Sequence, residues 1–282
     1  MKRLFVLFVL AFVITDVSAQ QLRVMTYNIR YNNKGDSLNA WPHRKDNLVS
    51  QVLYHGVQVL GVQEALHDQM QDLATLLPRF RHAGGGREDG KEKGEYSAVF
   101  YDTTAVKMIR NETFWLSETP KVPGSKSWDA ALNRVVTWCE FIDRKTKKRF
   151  YFFNTHFDHV GQVARRESAS LLLRKVDSIA GKTPVIVTGD FNARPADEPI
   201  KVLVDKANPL HLLDTRELSK TPAYGPTGTF NGFGPKERDN LPIDYIFVKG
   251  KWNVLSHATF SQTWNGRFAS DHFPILVELS FK

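Results

Sequence analysis

The sequence predicts an α/β fold in one large domain, and three observations support this prediction. The 282-residue chain is 42% hydrophobic, which is enough to bury a sizeable core. Apolar segments with strand periodicity recur along the chain, and segments with helical periodicity lie between several of them. No linker-like break, internal repeat or low-complexity tract interrupts them. We therefore predict a single domain over residues 20–282, preceded by an export signal.

Residues 1–19 have the pattern of a secretory signal peptide. The basic start "MKR" is followed by an apolar run from Leu4 to Ile14, and small residues then predict cleavage before Gln20. The alternative is a membrane anchor, but the run is shorter than the roughly 20 apolar residues that a spanning helix needs. We expect a secreted or periplasmic monomer without stable membrane insertion.

The first half of the mature chain predicts strands separated by two helices. "LRVMTYNIR" (22–30) and "VQVLGVQEA" (57–65) have strand patterns, and the helix between them would bury Leu48, Val49, Val52 and Leu53. A second helix, "HDQMQDLATLLP", ends at Pro78. The glycine-rich, charged segment 84–95 predicts a mobile loop, and the strands "YSAVFYD" and "AVKMIRNETFWL" follow it.

The second half begins with a predicted hairpin, "RVVTWCEFI" to "RFYFFNTHF". "QVARRESASLLLRKVDSIA" (162–180) is the clearest helix, and Gly181 ends it. A strand at "PVIV", a short helix near "ADEPIKVLVDK" and strands at "IDYIFV", "WNVLSHATF" and "PILVELSF" complete the pattern.

Composition argues against several classes of enzyme. Cys139 is the only cysteine and lies inside a predicted strand, which indicates a buried side chain and not a catalytic thiol. The chain has no GxSxG motif of a serine hydrolase. "AGKTP" resembles the end of a phosphate-binding P-loop, but Val176 stands where the motif needs its first glycine. The formal net charge of +8 is compatible with polyanionic partners such as nucleic acid.

Isolated polar residues stand at the ends of the predicted strands: Asn28, Glu64, Asn154, His156, Asp190, Asn192, Asp244, Asp271 and His272. Each alone has an ordinary explanation, such as a bulge, a turn or a satisfied core histidine. Burying all of them separately without partners would cost about a few kcal/mol each. We therefore predict that the strand ends meet at one rim of a sheet, where these groups satisfy one another around a cation.

The predicted ligands favour a particular kind of metal. Carboxylate and amide oxygens with two histidines, and no available thiolate, suit Mg²⁺ or Mn²⁺ better than a structural zinc. Oxygen-bound Mg²⁺ typically completes its ligand shell with substrate phosphate oxygens. Phosphate chemistry is therefore the first candidate.

The blocks "TYNI", "VQE", "NTH", "GDFN", "IDYIFV" and "SDHFP" resemble, in order and spacing, the endonuclease/exonuclease/phosphatase superfamily of deoxyribonuclease I-like, metal-dependent phosphoesterases. The resemblance covers nearly the whole mature chain. It implies a four-layer α/β sandwich, in which two mixed β-sheets pack face to face and are flanked by helices. The active site would lie at one end of the sheets.

The resemblance also implies metal and water-activating roles. Glu64 would be the principal metal ligand, with Asn28 and Asp271 completing or supporting the ligand shell. Asp190 would orient or deprotonate the attacking water. Asn192 would hold the phosphate or a second cation.

Four further residues would act on the phosphate. The resemblance implies that His156 donates to non-bridging phosphate oxygens, and that His272 does likewise or acts as an acid/base. Asp244 would fix the tautomer of His272 by a hydrogen bond. Arg134 matches an arginine that several members aim at the phosphate, whereas His159 is expected only at the rim of the site.

The substrate stays open at this point. We expect loops 84–95, 116–130 and 223–240 to determine the substrate. The loop at 223–240 carries Phe230, Phe233, Lys236 and Arg238. These side chains could stack on a base and bind a phosphate, or the segment could be an ordinary glycine-rich loop. The leading prediction is a phosphodiesterase or nuclease-like hydrolase. The alternatives are a phosphomonoesterase, a sphingomyelinase-like lipid phosphodiesterase, or an exported binding protein without catalysis. A binding protein without catalysis should lack residues such as Glu64, which this chain retains.

Overall fold

A computed structural model describes residues 21–234 and 240–282. The predicted signal peptide, Lys236 and Arg238 lie outside the described residues. Within the described ranges, no helix is long and apolar enough to cross a membrane.

The strands and helices follow the predicted order closely. In chain order the strands are β1 Leu22–Asn28, β2 Val59–Ala65, β3 Phe80–Ala83, β4 Tyr96–Asp102, β5 Val106–Trp115, β6 Val135–Asp143, β7 Arg149–His156, β8 Val185–Asp190, β9 Leu213–Asp214, β10 Asp244–Lys249, β11 Trp252–Thr259 and β12 Ile275–Phe281. The α-helices are α1 Lys45–Tyr54, α2 His67–Leu76, α3 Gln162–Ala180, α4 Glu198–Val204 and α5 Thr215–Leu218, with 3₁₀ turns at Lys34–Asn39 and Trp41–His43.

The strands form two mixed sheets of six strands each. The first has the order β11-β12-β1-β2-β4-β3, and the second has the order β5-β6-β7-β8-β10-β9. Each contains one parallel pair, β1 with β2 and β7 with β8, among antiparallel neighbours. The two-sheet α/β sandwich predicted from the family resemblance is confirmed.

Three layers of apolar contact hold the sandwich together. Val59 of the first sheet and Ile186 of the second belong to one buried cluster between the sheets. The outer face of the first sheet is covered by α1 and α2 through residues such as Leu48 and Leu73. The outer face of the second sheet is covered by α3 and α4 through residues such as Leu172. Such buried aliphatic side chains stabilise the fold by about 1.5–3 kcal/mol each.

A polar contact crosses the space between the sheets at Asn154, which the sequence had grouped with the site residues. Its amide nitrogen donates to the carbonyls of Val62 and Ala98, at 2.8 and 2.9 Å. Its oxygen accepts from Gln63 Nε2 and Thr188 Oγ1, at 2.6 and 3.0 Å. All of its hydrogen-bonding capacity is therefore used inside the core, and grouping Asn154 with the site was wrong.

Two local predictions are also corrected. Leu53 is 46% exposed, because at 100° per residue it lies well off the face shared by Leu48, Val49 and Val52. Segment 84–95 is not an open loop but a folded turn, in which Asp89 Oδ1 accepts from two backbone N–H groups and Trp115 Nε1 donates to the carbonyl of Arg87. Strand β3, just before it, was not predicted.

Candidate active site

The ends of five strands bring the predicted polar residues to one pole of the sandwich. His156, Asp190 and Asp244 are register partners across β7, β8 and β10. Asn28 ends β1, and Glu64 lies one residue before the end of β2. Parallel neighbours such as β7 and β8 end at the same edge of a sheet, which is why this convergence could be predicted.

A cavity of about 470 Å³ opens at this pole. Its lining includes seven of the nine residues to which the family resemblance gave a catalytic or metal-binding role: Glu64, Arg134, His156, Asp190, Asn192, Asp271 and His272. The other two, Asn28 and Asp244, lie behind this lining and contact it. A volume of this size suits a small organic ligand.

Glu64, Asn28 and Asp190 form the centre of the site. The amide nitrogen of Asn28 lies 3.0 Å from Glu64 Oε1 and 2.9 Å from Asp190 Oδ2. Its oxygen accepts the backbone N–H of Arg30 at 3.0 Å. Asn28 therefore holds the two carboxylates together by donating to both, and a role as an oxygen ligand stays a prediction.

Two site residues adopt left-handed backbone conformations. Glu64 has φ 64° and lies in a β-bulge between Val62 and Ala65. Asn192, just after β8, has φ 46°. Non-glycine residues in this region are strained and cluster at functional sites. The bulge also breaks the strand alternation, which turns the Glu64 side chain toward the pole.

The carboxylates form a set that a divalent cation would fit. One ligand atom each of Glu64, His156 and Asp190 lies within 4.8 Å of the others. Burial, followed by the charge of Asp244, raises the pKa of Asp190 to about 7. Burial also raises the pKa of Asp271, and Glu64 adds to this effect. Crowded carboxylates of this kind indicate a cation-binding site.

His272 is held by Asp244. Its Nδ1 lies 2.9 Å from Asp244 Oδ2, and its Nε2 lies 3.8 Å from Asp190 Oδ2. Burial alone would lower the pKa of His272, but the carboxylates of Asp244 and Asp190 raise it well above its usual value. The imidazolium therefore presents Nε2–H to the pole while Asp244 accepts from Nδ1–H.

His156, unlike His272, is neutral. Burial, and then Arg134 and Arg87, lower the pKa of His156 well below its usual value. The amide nitrogen of Asn192 donates to the carbonyl of Phe157 at 3.0 Å and also lies 3.0 Å from His156 Nε2. Because that nitrogen can only donate, this contact favours the neutral tautomer with an unprotonated Nε2, which also lies 3.5 Å from Asp190 Oδ2. Its Nδ1–H is then the donor available to a ligand.

Arg134 is a buried cation at the wall of the cavity. It is 5% exposed, and within the described part of the chain its Nε and Nη1 have no hydrogen-bond partner. Nη2 lies 3.0 Å from His159 Nδ1, and Nε lies 3.5 Å from Asp158 Oδ2. Burial, and then Arg87, lower the pKa of Arg134. Buried N–H groups without partners are costly, which suits a site that is completed by an anion.

Asp158 anchors this wall and was not predicted from the sequence. Its carboxylate accepts backbone N–H groups of residues 131, 132, 160 and 161. Burial would raise its pKa, but these hydrogen bonds lower the pKa of Asp158 to about 2. Asp158 therefore fixes the loop that precedes Arg134.

Three more charged residues near the cavity were missed. Arg87 Nη1 lies 2.7 Å from Glu95 Oε2, and the same oxygen lies 4.0 Å from His156 Nδ1. Burial raises the pKa of Glu95, and Glu64 adds to this effect. Arg30 Nε lies 3.8 Å from Asp271 Oδ2. The folded turn at 84–95 has no periodicity, so no sequence signal pointed to Arg87 or Glu95.

Asp271, predicted as a metal ligand, lines the cavity beside His272. Its backbone carbonyl accepts from the N–H groups of Asn231 and Gly232, at 2.8 and 3.0 Å. Its neighbour Ser270 donates to the carbonyl of Asn28 at 2.7 Å. The first two bonds tie the loop after β11 to residues 231–232, and the third ties it to the end of β1. A metal-binding role for Asp271 stays a prediction.

The pole of the two-sheet sandwich brings together carboxylates, imidazoles and a buried arginine, groups that can hold a cation and a phosphate. The chain belongs to the Endonuclease/Exonuclease/phosphatase family, whose family model matches residues 25–272. It is a phosphoester hydrolase of this superfamily.

Similar proteins cover the whole fold. The chain is 39% identical to the endonuclease/exonuclease/phosphatase from Bacteroides vulgatus, with a TM-score of 0.89 over 93% of this chain and 100% of that one. It is 38% identical to a mannosyl-6-phosphatase from Bacteroides thetaiotaomicron, with a TM-score of 0.85 over 92% and 100% of the two chains. An uncharacterized protein of Acanthamoeba polyphaga mimivirus is 24% identical over 91% of this chain and 99% of its own length.

Proposed function

We propose that this protein is a divalent-metal-dependent phosphomonoesterase that acts on small phosphorylated molecules, with sugar phosphates as the first class to test. The observation that carries the proposal is Arg134, a buried guanidinium in the wall of a small cavity whose Nε and Nη1 make no hydrogen bond within the described residues. A terminal phosphate dianion needs such additional positive charge more than a diester monoanion does. The 38% identity to a mannosyl-6-phosphatase supports the same choice.

Residues of the central cluster would hold the metal ion. Glu64 and Asp190 offer carboxylate oxygens, which are the ligands that Mg²⁺ and Mn²⁺ prefer. The ion would supply charge stabilisation at the phosphate oxygens. Asn28 supports both carboxylates by donating to them.

The remaining residues would move protons and hold the phosphate. Asp190, held at the cavity by the amide nitrogen of Asn28 at 2.9 Å, can accept a proton from the attacking water. The backbone N–H of Asn192 donates to Asp190 Oδ1 at 2.9 Å and fixes this carboxylate. His272 can donate from Nε2 to the leaving oxygen, while Arg134 and Nδ1 of His156 donate to phosphate oxygens.

A nuclease-like phosphodiesterase is the second candidate. The ring of Phe230 lines the cavity and packs edge-on against His272, with 5.0 Å between the ring centres. An aromatic ring at this position could contact a nucleobase. The net charge of +8 is also compatible with a nucleic-acid substrate.

A substrate panel separates the two candidates. Mannose 6-phosphate, bis-p-nitrophenyl phosphate, single-stranded DNA and RNA are each assayed with Mg²⁺, with Mn²⁺ and with EDTA. We expect the monoester to have the highest kcat/KM. We also expect Arg134→Gln to lower kcat/KM for the monoester about 100-fold, and more than for the diester. A preference for any diester of tenfold or more would contradict the proposal and favour the nuclease.

We also propose that the protein acts outside the cytoplasm. The support is the sequence pattern of residues 1–19. Expression of the full chain with N-terminal sequencing of the exported product tests this, and the expected first residue is Gln20. An uncleaved product retained in the cytoplasm would contradict it.

A further inference from the structure

A second concave surface lies at the opposite pole from the candidate active site. It is a cavity of about 810 Å³, located where β7 and β8 begin and β10 and β12 end. Strand β7 runs from Arg149 at this cavity to His156 at the active site, which corresponds to about 23 Å at 3.3 Å per residue. We call this surface the basic groove; it is defined by Lys148, Arg149, Lys182, Lys249, Lys251 and Phe281.

Positive charge in the basic groove is only partly neutralised. Arg149 Nη1 lies 2.7 Å from Glu140 Oε1, and Lys249 Nζ lies 3.2 Å from Asp177 Oδ1. Lys148 Nζ donates to the backbone oxygen of Lys282 at 3.0 Å. The exposed side chains of Lys182 and Lys251 have no ion-pair partner among residues 21–234 and 240–282. Asp177 is the single carboxylate side chain that the described residues contribute to its lining. The groove therefore carries an excess of cations.

The groove is a built concavity with a partly apolar floor. Phe281 is half-buried and stacks on Trp252, with 4.5 Å between the ring centres. Gly250 has φ 89°, and a Cβ at this position would lie 3.2 Å from Pro184 Cα. The turn that carries Lys249 and Lys251 can pack this closely on the start of β8 because Gly250 has no side chain.

The helix dipole accounts for only one of these three lysines. The carboxyl end of α3 at Ala180 favours a nearby cation, which is a sufficient reason for Lys182. Lys148 and Lys251 come from two other turns, before β7 and before β11. Their convergence on the same cavity therefore calls for another explanation.

We propose that the basic groove is a second, non-catalytic binding site for a compact anion that carries several phosphate groups. Its volume falls within the 300–1,000 Å³ range of small-molecule sites. The exposed ammonium groups of Lys148, Lys182 and Lys251 lie on separate turns and carry three donors each, so each can contact a different phosphate oxygen as a point charge that needs no fixed geometry. The basic residues converge on one cavity, which favours a compact oligophosphate over an extended polymer.

Calorimetric titration with inorganic tripolyphosphate in EDTA tests the proposal. The test variant is Lys148→Glu/Lys251→Glu, and the matched control is Lys201→Glu/Lys220→Glu, which makes the same charge change at two exposed lysines outside the groove. We expect binding to weaken at least tenfold in the test variant and to stay within twofold in the control and in Arg134→Gln. Phosphate-ester hydrolysis and the melting temperature should not change in the groove variant.

Three results would overturn the proposal. Equal weakening in both double variants would indicate general charge attraction without a site. Binding that is lost in Arg134→Gln but kept in the groove variant would place the anion at the catalytic pole. Tighter binding of a single-stranded oligonucleotide than of tripolyphosphate, with affinity rising with its length, would identify the occupant as a polymer.

Discussion

Asp190 and Asp244 are directly opposite each other on the antiparallel strands β8 and β10, and both face the imidazole of His272. The two carboxylates differ in their contacts. Asp244 accepts from His272 Nδ1 at 2.9 Å, whereas Asp190 is held by Asn28 and Asn192 at the cavity. One carboxylate can therefore position the histidine while the other stays available to water.

Replacement of Asp244 tests this division of roles. In Asp244→Asn we expect kcat to fall about 10²–10⁴-fold with a smaller change in KM, because the amide cannot stabilise the imidazolium. Steady-state kinetics at saturating Mg²⁺ measures both constants. Cys139→Ser, at a buried position away from the site, should keep its activity. Equal activity of Asp244→Asn and the native protein would contradict the role of Asp244.

Substitution of Gly61 tests the packing between the two sheets. A Cβ at this position would lie 2.5 Å from both Asn154 Oδ1 and Thr188 Oγ1. Both atoms belong to the fully bonded polar contact between the sheets, so Gly61→Ala should cost about 2–4 kcal/mol of unfolding free energy. Denaturant unfolding measures the change.

The control for Gly61 is Gly181→Ala. At Gly181 φ is 55° and nothing lies within 4 Å of an added Cβ, so only the backbone cost of about 1–2 kcal/mol is expected. A cost at Gly61 no larger than at Gly181 would show that the space between the sheets can relax around a methyl group.

The histidine His257 should make the free energy of unfolding sensitive to acid. It is buried, and its Nδ1 lies 3.1 Å from Thr215 Oγ1. Burial, and then Arg216, lower the pKa of His257 to about 3 from its usual 6.5. Between about pH 3 and pH 6.5, His257 is protonated in the unfolded chain and neutral in the folded protein. The folded protein is therefore not destabilised by His257 above about pH 6.5, and it loses stability as the pH falls below that value.

Unfolding free energies at pH 7 and pH 5 measure this effect. Protonation of His257 in the unfolded chain should lower the unfolding free energy of the native protein by about 2 kcal/mol from pH 7 to pH 5. His257→Gln should remove this loss. The exposed His43→Gln is the control and should keep the native pH dependence. The same acid sensitivity in His257→Gln as in the native protein would show that other groups cause it.

The sequence predicted most of the fold because strand periodicity and strand-end polarity are local patterns. Asn154 shows where this reasoning fails. Asn154 and His156 are two residues apart on β7 and therefore share a face. Only His156 is at the strand end and reaches the cavity, whereas Asn154 is covered by β2 and β4. A polar residue in an apolar segment does not reveal which of these two positions it occupies.

Charged residues from irregular segments could not be predicted for a different reason. Arg87 and Glu95 reach the site because the turn at 84–95 folds through its own backbone hydrogen bonds. Asp158 acts through four backbone N–H groups from two loops. Such contacts depend on tertiary geometry and have no period in the sequence.

Mn²⁺ binding is the most direct test of the central claim that the strand-end residues gather around a divalent cation. Electron paramagnetic resonance measures free Mn²⁺ during titration of the native protein and of Glu64→Gln. We predict saturable binding to the native protein, at least tenfold weaker binding to Glu64→Gln, and loss of hydrolysis in EDTA that added Mn²⁺ or Mg²⁺ restores. Equal Mn²⁺ binding by both proteins, or hydrolysis that persists in EDTA, would contradict the account.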